Sequence, residues 1–447
     1  MNKNEVIELE IIDVTDTGSG LGRADNMVVF VPQTAIGDIV KALIIKVNKH
    51  YCIGKLIGII KPSKDRITPD CDCFSKCGGC SFRHIRYECE LALKQKKVED
   101  CIRRIAKVDM SPNKIISDGA LARYRNKAQF PVGIDGSIGF FAPHSHRIVP
   151  VEDCLLQPRI FADITKAFGY WATENSVSYY DSQSNSGLLR HLYIRSNKDE
   201  TEIMVVIVCN GDSVPNRESL VSSLRKAAGE RLTSVILNVN TQNNNVILGT
   251  ENILLFGEKY ITDVLCDISV RLSPNSFYQV NRNMAEILYK KAKEYAEPKG
   301  KIVLDLYCGT GTIGLSMANE SRRIIGVEIV EEAVKDAWQN AEENGINNAE
   351  FICADAFEAA KELSDKSIKP DVVILDPPRK GCDAGLIDVV TNKFHPERVV
   401  YVSCDPATLA RDIAVFGEYG YKLKEYTPFD LFPRTTHVET VAIISRS

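Results

Sequence analysis

Lys301-Ile-Val-Leu-Asp305-Leu-Tyr-Cys-Gly309-Thr-Gly311-Thr-Ile-Gly314 reads as a short strand, a glycine turn and the first residues of a helix. Working outward, Ile324-Ile-Gly-Val-Glu328 is the next strand and ends in a carboxylate, and Asp371-Val-Val-Ile-Leu-Asp376 is a later one ending in Asp. Val399 to Val402 reads as a further buried strand, and Val438 to Ile444 as the terminal strand of the same sheet. Such strands alternate with helical stretches from about Pro274 onward, which predicts a parallel sheet covered by helices.

The glycine spacing Gly309-x-Gly311-x-x-Gly314 matches a dinucleotide fingerprint, with Glu328 placed for a ribose hydroxyl. A pyrophosphate would need the helix start clear of other charge. Asp305, four residues before the first glycine, instead suits the methionine ammonium of S-adenosylmethionine. Asp355, after a third strand, stands where an adenine contact is expected. Singly, each carboxylate could cap a strand end. Jointly they favour S-adenosylmethionine over a nicotinamide dinucleotide.

Cys404 follows the strand Val399–Val402, and Asp405-Pro406 suits the cap and first turn of a helix. A strand's carboxyl end beside a helix start is open to ligands and favours a thiolate, although a buried packing role is the commoner fate of an isolated cysteine. Beside an S-adenosylmethionine pocket, such a cysteine suggests methyl transfer to a poor nucleophile. Pyrimidine C5 is one, and it becomes reactive when a thiolate adds at C6. A base must then remove the C5 proton. Glu439 is the candidate, with an exposed strand glutamate as its ordinary reading. Asp376 faces the same crevice, to bond the base edge or orient the cofactor, and His437 supports the loop.

The 447 residues suffice for two or three domains, and 44% hydrophobic with 26% charged residues is ordinary for a soluble protein. A formal charge of −4 leaves nucleic-acid contact to local basic patches. There is no apolar signal region and no apolar run long enough to span a bilayer, so the cytoplasm is the expected location and a monomer the expected state. Fourteen cysteines there point to metal ligands or catalysis before disulfides.

Residues 1–62 read as a small barrel of short strands, Val6–Val14, Val28–Val31, Ile39–Val47 and Ile53–Ile60, with a turn at Gly18–Gly22 and a basic second half. Val29-Phe-Val-Pro32 with Gly37-Asp38 resembles the TRAM domain, an RNA-binding barrel. Residues 63–272 read as a β-rich central domain, and 273–447 as the α/β domain. Cys71-x-Cys73-x3-Cys77-x2-Cys80 opens the central domain. It allows Cys71, Cys77 and Cys80, or Cys73, Cys77 and Cys80 in the radical-enzyme spacing, or a four-cysteine zinc knot. Glu88 to Val108 is an amphipathic helix with Lys94, Lys96 and Lys97 on its solvated face, and it can pack on the α/β domain. Residues 124 to 272 read as strand-rich, with Arg123, Arg125, Lys127, Arg147, Arg190, His191 and Arg195 available to phosphates. Cys154 stands apart there. Cys52, Cys89, Cys101, Cys209, Cys266, Cys353 and Cys382 read as packing residues.

With Ser276-Phe-Tyr-Gln279-Val-Asn281, Asp376-Pro-Pro-Arg-Lys-Gly381, Ser403-Cys404-Asp-Pro-Ala-Thr-Leu-Ala-Arg411 and His437-Val-Glu439 added, the whole chain resembles bacterial RNA uracil-5-methyltransferases. It most resembles their 23S ribosomal branch, which carries a TRAM barrel and a [4Fe-4S] cluster. The resemblance implies an all-β barrel, a β-rich iron–sulfur domain and a Rossmann-like methyltransferase domain. It implies Cys404 as nucleophile and Glu439 as proton acceptor, with Gln279, Tyr307, Glu328 and Asp376 at the cofactor beside Asp305, Gly309, Gly311, Thr312 and Asp355. Thr312 replaces the Asn common in relatives. Cys71, Cys77, Cys80 and Cys154 would ligate the cluster, leaving Cys73 over. The implied partner is a folded 23S rRNA loop, with no DNA and no membrane, whose uridine flips into the pocket. The rivals are a tRNA-directed relative, a class that typically lacks barrel and cluster, and a radical methylase.

Overall fold

The computed structural model describes residues 1–446. Strands Val6–Val14, Gly20–Ala24, Met27–Val31, Tyr51–Lys61 and Ile39–Val47 pair in that order into a closed barrel around Ile11, Val29, Val31, Val40 and Ile44. The glycine run is not simply a turn. Gly18 bends at φ 85°, but Gly20 begins a strand. A Cβ on Gly22 would lie 2.5 Å from the Glu10 carbonyl oxygen, so this glycine permits close strand approach.

The middle of the chain forms a five-stranded sheet ordered Glu251–Gly257, Leu232–Val239, Ile203–Cys209, Leu189–Ser196, Lys127–Pro131. Helices Arg159–Glu174 and Arg217–Ala228 cover one face through Phe161, Phe168, Trp171, Leu220 and Leu224. The other face lends Tyr193, Met204 and Val206 to the core of the carboxy-terminal half. Covered on both sides, Ile203–Cys209 is buried at every position instead of alternating. The strand-rich reading of this region misses both helices. The aromatic residues of Arg159–Glu174 have weak helix propensity, and packing overrides it.

Seven strands form the carboxy-terminal sheet, in the order Ala349–Cys353, Arg323–Glu328, Ile302–Leu306, Val372–Leu375, Arg398–Ser403, Glu439–Arg446, Tyr421–Phe429. The first five are parallel, while Glu439–Arg446 runs antiparallel to both its neighbours. Alternate residues feed two cores, Val303, Ile324 and Val400 on one face and Leu304, Ile325 and Tyr401 on the other. Helix Tyr87–Cys101 and its π turn Ile102–Ala106 set Val98 and Ile102 in the second core, against helix Pro406–Glu418. The helical stretch stops at Lys107, φ 57°, just short of the expected Val108. Its lysine face is not wholly solvated, because Lys94 is 1% exposed. Among the described residues no helix is long and apolar enough to cross a membrane.

Candidate active site

Leu306, Glu328, Leu375 and Ser403 end parallel strands on one edge of the sheet, which brings Tyr307, Asp376 and Cys404 to that edge. Glu439–Arg446 runs the other way and therefore begins there. Its register pairs Thr440 with Ser403, and one further step puts Glu439 opposite Cys404. The sheet itself brings these two side chains together.

Glu439 is buried, and that burial, followed by the nearby Asp376 carboxylate, pushes its carboxyl up to about 8, against the pull of Arg379. Burial raises Asp376 to about 7. The Cys404 thiol is pushed up to about 11, first by burial and then by Glu439 and Asp376, again with Arg379 opposing. Asp405 caps helix Pro406–Glu418, its Oδ1 accepting from the N–H groups of Ala407 and Thr408 at 2.9 Å, so the positive end is already occupied. Arg379, exposed at the end of the Asp376-Pro-Pro-Arg run, is close enough to oppose the shifts of both Cys404 and Glu439. His437 packs edge-on against Phe432, and burial lowers it to about 4, which keeps it neutral.

Asp305 is buried beneath the glycine turn. Its Oδ2 accepts from the Gly314 N–H at 2.9 Å, while its buried Oδ1 has no partner. Burial foremost, with Asp376 and Glu328, raises its carboxyl to about 7. An orphaned buried carboxylate oxygen fits an ammonium donor. Glu328 holds the turn from the next strand, accepting from the N–H groups of Gly309 at 3.1 Å and Val330 at 2.9 Å. Gly311 sits at φ 79°, and a Cβ there would lie 2.8 Å from the Phe351 ring. Tyr307 has φ 66°, a left-handed conformation uncommon outside glycine and concentrated at ligand sites. Thr312 is buried against the Tyr289 hydroxyl. Asp355 is exposed, and its Oδ1 caps helix Ala356–Asp365 by accepting from the Phe357 and Glu358 N–H groups.

Gln279 lies in the segment before helix Arg282–Ala296, and its carbonyl accepts from Asn126 Nδ2 at 3.1 Å. Arg195 donates to the Ser273 and Ser276 carbonyls at 2.8 Å and steadies this segment. Arg190 is likewise buried, donating to the Asn240 and Gln242 carbonyls. Both were expected to be available to phosphates. Their charges are instead committed to backbone.

Cys71, Cys77, Cys80 and Cys154 line one cavity of about 220 Å³, with Cys73 at its wall. Arg123 braces the Cys154 loop, donating to the Cys154 and Gln157 carbonyls at 3.1 and 2.8 Å and to Asp153. Burial and neighbouring cysteines raise the Cys77, Cys80 and Cys154 thiols, Cys154 to about 11. Among the described residues no three such groups converge tightly enough for a single metal ion. Arg83, 2% exposed, lines the same cavity, its guanidinium paired with Asp70 at 2.5 Å while its Nε and Nη2 are buried without hydrogen-bond partners. Cys73, on the same cavity wall, sets its sulfur 3.6 Å from the Pro150 carbonyl. Of the packing cysteines, Cys353 is the exception, being exposed.

Comparison with known proteins carries this geometry to a family. The tRNA (Uracil-5-)-methyltransferase family profile matches residues 228–447, and the TRAM domain profile matches residues 2–57. An uncharacterized RNA methyltransferase of Clostridium tetani is 41% identical over 100% of this chain and 97% of its own length. One from Halalkalibacterium halodurans is 40% identical over 99% and 98%. The chain belongs to the RNA uracil-5-methyltransferase family. The crystal structure of Pyrococcus abyssi tRNA (uracil-54, C5)-methyltransferase with S-adenosyl-L-homocysteine is 26% identical, with a TM-score of 0.80 over 98% of this chain and 99% of that one. This uracil-5-methyltransferase therefore uses S-adenosylmethionine, acts on RNA and carries a TRAM barrel, as the sequence motifs imply.

Proposed function

We propose that the enzyme methylates C5 of a uridine in a folded loop of 23S rRNA, with Cys404 as nucleophile and Glu439 as the base that completes turnover. The observation carrying the chemistry is the strand register that sets Glu439 opposite Cys404, with Asp376 beside both, while the ribosomal target rests on the sequence resemblance alone. The flipped uracil lies between them. The Cys404 sulfur adds to C6, negative charge moves to C5 and O4, and C5 takes the methyl group from the sulfonium. Glu439, near neutral in its proton affinity, then removes the C5 proton, and the sulfur leaves C6. Burial raises the resting thiol to about 11, so its proton passes to solvent only when the thiolate is stabilised, and Arg379 supplies that stabilisation by electrostatics.

For the cofactor, the Asp305 Oδ1 takes the ammonium, Glu328 the ribose, and Gly309 and Gly311 allow close approach. Gln279, Tyr307, Thr312, Asp355 and Asp376 complete the pocket. Cys71, Cys77, Cys80 and Cys154 hold a [4Fe-4S] centre that anchors the central domain and supplies no electron to this polar reaction. We assign residues 1–62 to the RNA-binding barrel, 63–272 to the iron–sulfur domain and 273–447 to the catalytic domain.

A second reading, methylation of tRNA, draws on the likeness to the archaeal tRNA enzyme. That likeness spans 98% of this chain, so full length alone is no argument for the ribosomal branch. Purified enzyme with methyl-labelled S-adenosylmethionine should place 5-methyluridine in 23S rRNA from a strain lacking the gene. Label in tRNA and none in rRNA would establish the second reading instead.

A further inference from the structure

Glu439 is preceded by a loop whose conformation the catalytic domain does not fix alone. Strand Tyr421–Phe429 pairs with Glu439–Arg446, and Phe429 stands opposite Glu439. Residues 430–438 therefore close a hairpin whose exit is the base. The amino-terminal helix Tyr87–Cys101 grips this loop. Lys94, 1% exposed, donates to Asp430 Oδ1 at 2.7 Å, to the Phe432 carbonyl at 3.1 Å and to Glu90 Oε1 at 2.7 Å. Tyr87 donates to Asp430 Oδ2 at 2.8 Å. Glu90 accepts from the Arg434 N–H at 2.7 Å, and its other oxygen lies 3.6 Å from the Arg434 guanidinium.

Arg434 sits at φ 71°, a conformation an arginine keeps only where its surroundings impose it. Besides the Glu90 contact, its carbonyl accepts from the Ser81 and Phe82 N–H groups, directly after Cys80, at 2.8 and 3.0 Å. A buried lysine and arginine are thus matched by two buried carboxylates across the join between the amino-terminal helix and the catalytic loop. Replacing one partner would leave a buried charge unpaired and free the loop to relax.

We propose that Lys94, Glu90, Asp430 and Tyr87 form a positioning network for the proton-abstraction step, holding the loop so that Glu439 faces uracil C5. None of them touches substrate. The proposal rests on the reading of Glu439 as the base. It predicts a specific failure: cofactor binding, thiolate addition and methyl transfer survive, while release of the methylated RNA slows.

The test compares full-length wild type, Lys94→Met, Tyr87→Phe and Glu439→Gln on unmodified substrate RNA. Denaturing gels read the enzyme–RNA adduct, and steady-state kinetics read kcat and KM. Misplacing a catalytic group by about 1 Å costs roughly 100-fold in rate. Lys94→Met should therefore lower kcat by about 10- to 100-fold with KM little changed, and accumulate adduct as Glu439→Gln does. Tyr87→Phe, a milder loss that keeps the buried charges paired, should lie between Lys94→Met and wild type. If Glu439→Gln stalls but both network variants lose adduct and turnover in parallel, or turn over like wild type, the positioning role is refuted. If Glu439→Gln itself shows no stalled adduct, the assignment of the base fails.

Discussion

Cofactor affinity should depend on pH through Asp305. Burial, with the Asp376 and Glu328 carboxylates, holds this carboxyl at about 7 instead of its ordinary 3.8, so its ionised form carries a net cost of about 4 kcal/mol. The folded protein binds this proton more tightly than the unfolded chain, so its contribution to stability falls as pH rises from about 4 to about 7. A cationic ligand reverses that trend, since an ammonium on the free Oδ1 stabilises the ionised form. At pH 8 the free carboxyl is about 90% ionised and at pH 6 about 10%, so S-adenosylmethionine should bind about tenfold more weakly at pH 6. At pH 7, binding should release about half a proton from this group. Titration calorimetry in buffers of different ionisation enthalpy measures both quantities. Asp376 and Glu439 titrate in the same range, so Asp305→Asn assigns the effect: it should bind weakly and lose most of the pH dependence. Equal affinity at pH 6 and pH 8 in wild type, or an unchanged profile in Asp305→Asn, would refute the reasoning.

Gly311→Ala forces a side chain into the left-handed region, at about 1–2 kcal/mol, and sets its Cβ against the Phe351 ring. Cofactor affinity should fall at least tenfold by the same calorimetry. Cys154→Ser should lose bound iron and visible iron–sulfur absorbance, whereas Cys73→Ser should keep both, because Cys73 turns toward the Pro150 carbonyl. Trp171→Ala empties a site 1% exposed beneath the central sheet and should destabilise by about 3–5 kcal/mol, read as a lower denaturant midpoint of the central domain.

The parallel sheet was legible because each strand ends in its own signal, Asp305 with the glycine turn, Glu328, Asp376 and Cys404 with Asp405-Pro406. The barrel was legible from its run of short strands, except that one strand was hidden in glycines needed for close packing. Of the central helices, Arg159–Glu174 was hidden because its aromatic residues read as strand formers until their burial partner is known. At the site, residue types pointed to the chemistry, but the state of the thiol could not be read from them. It depends first on burial and then on Glu439 and Asp376 across the sheet. Arg190, Arg195 and Lys94 read as surface charge for the same reason. Their acceptors lie 50 or more residues away in sequence for Arg190 and Arg195, and 336 away for Asp430.

The most direct test of the central claim uses substrate RNA carrying 5-fluorouridine, with S-adenosylmethionine and the full-length enzyme. Fluorine cannot leave C5 as a proton does, so the account predicts a methylated covalent complex that survives denaturing electrophoresis and is absent with Cys404→Ala. An enzyme that methylates ordinary RNA yet forms no such complex, or forms it without Cys404, would contradict it.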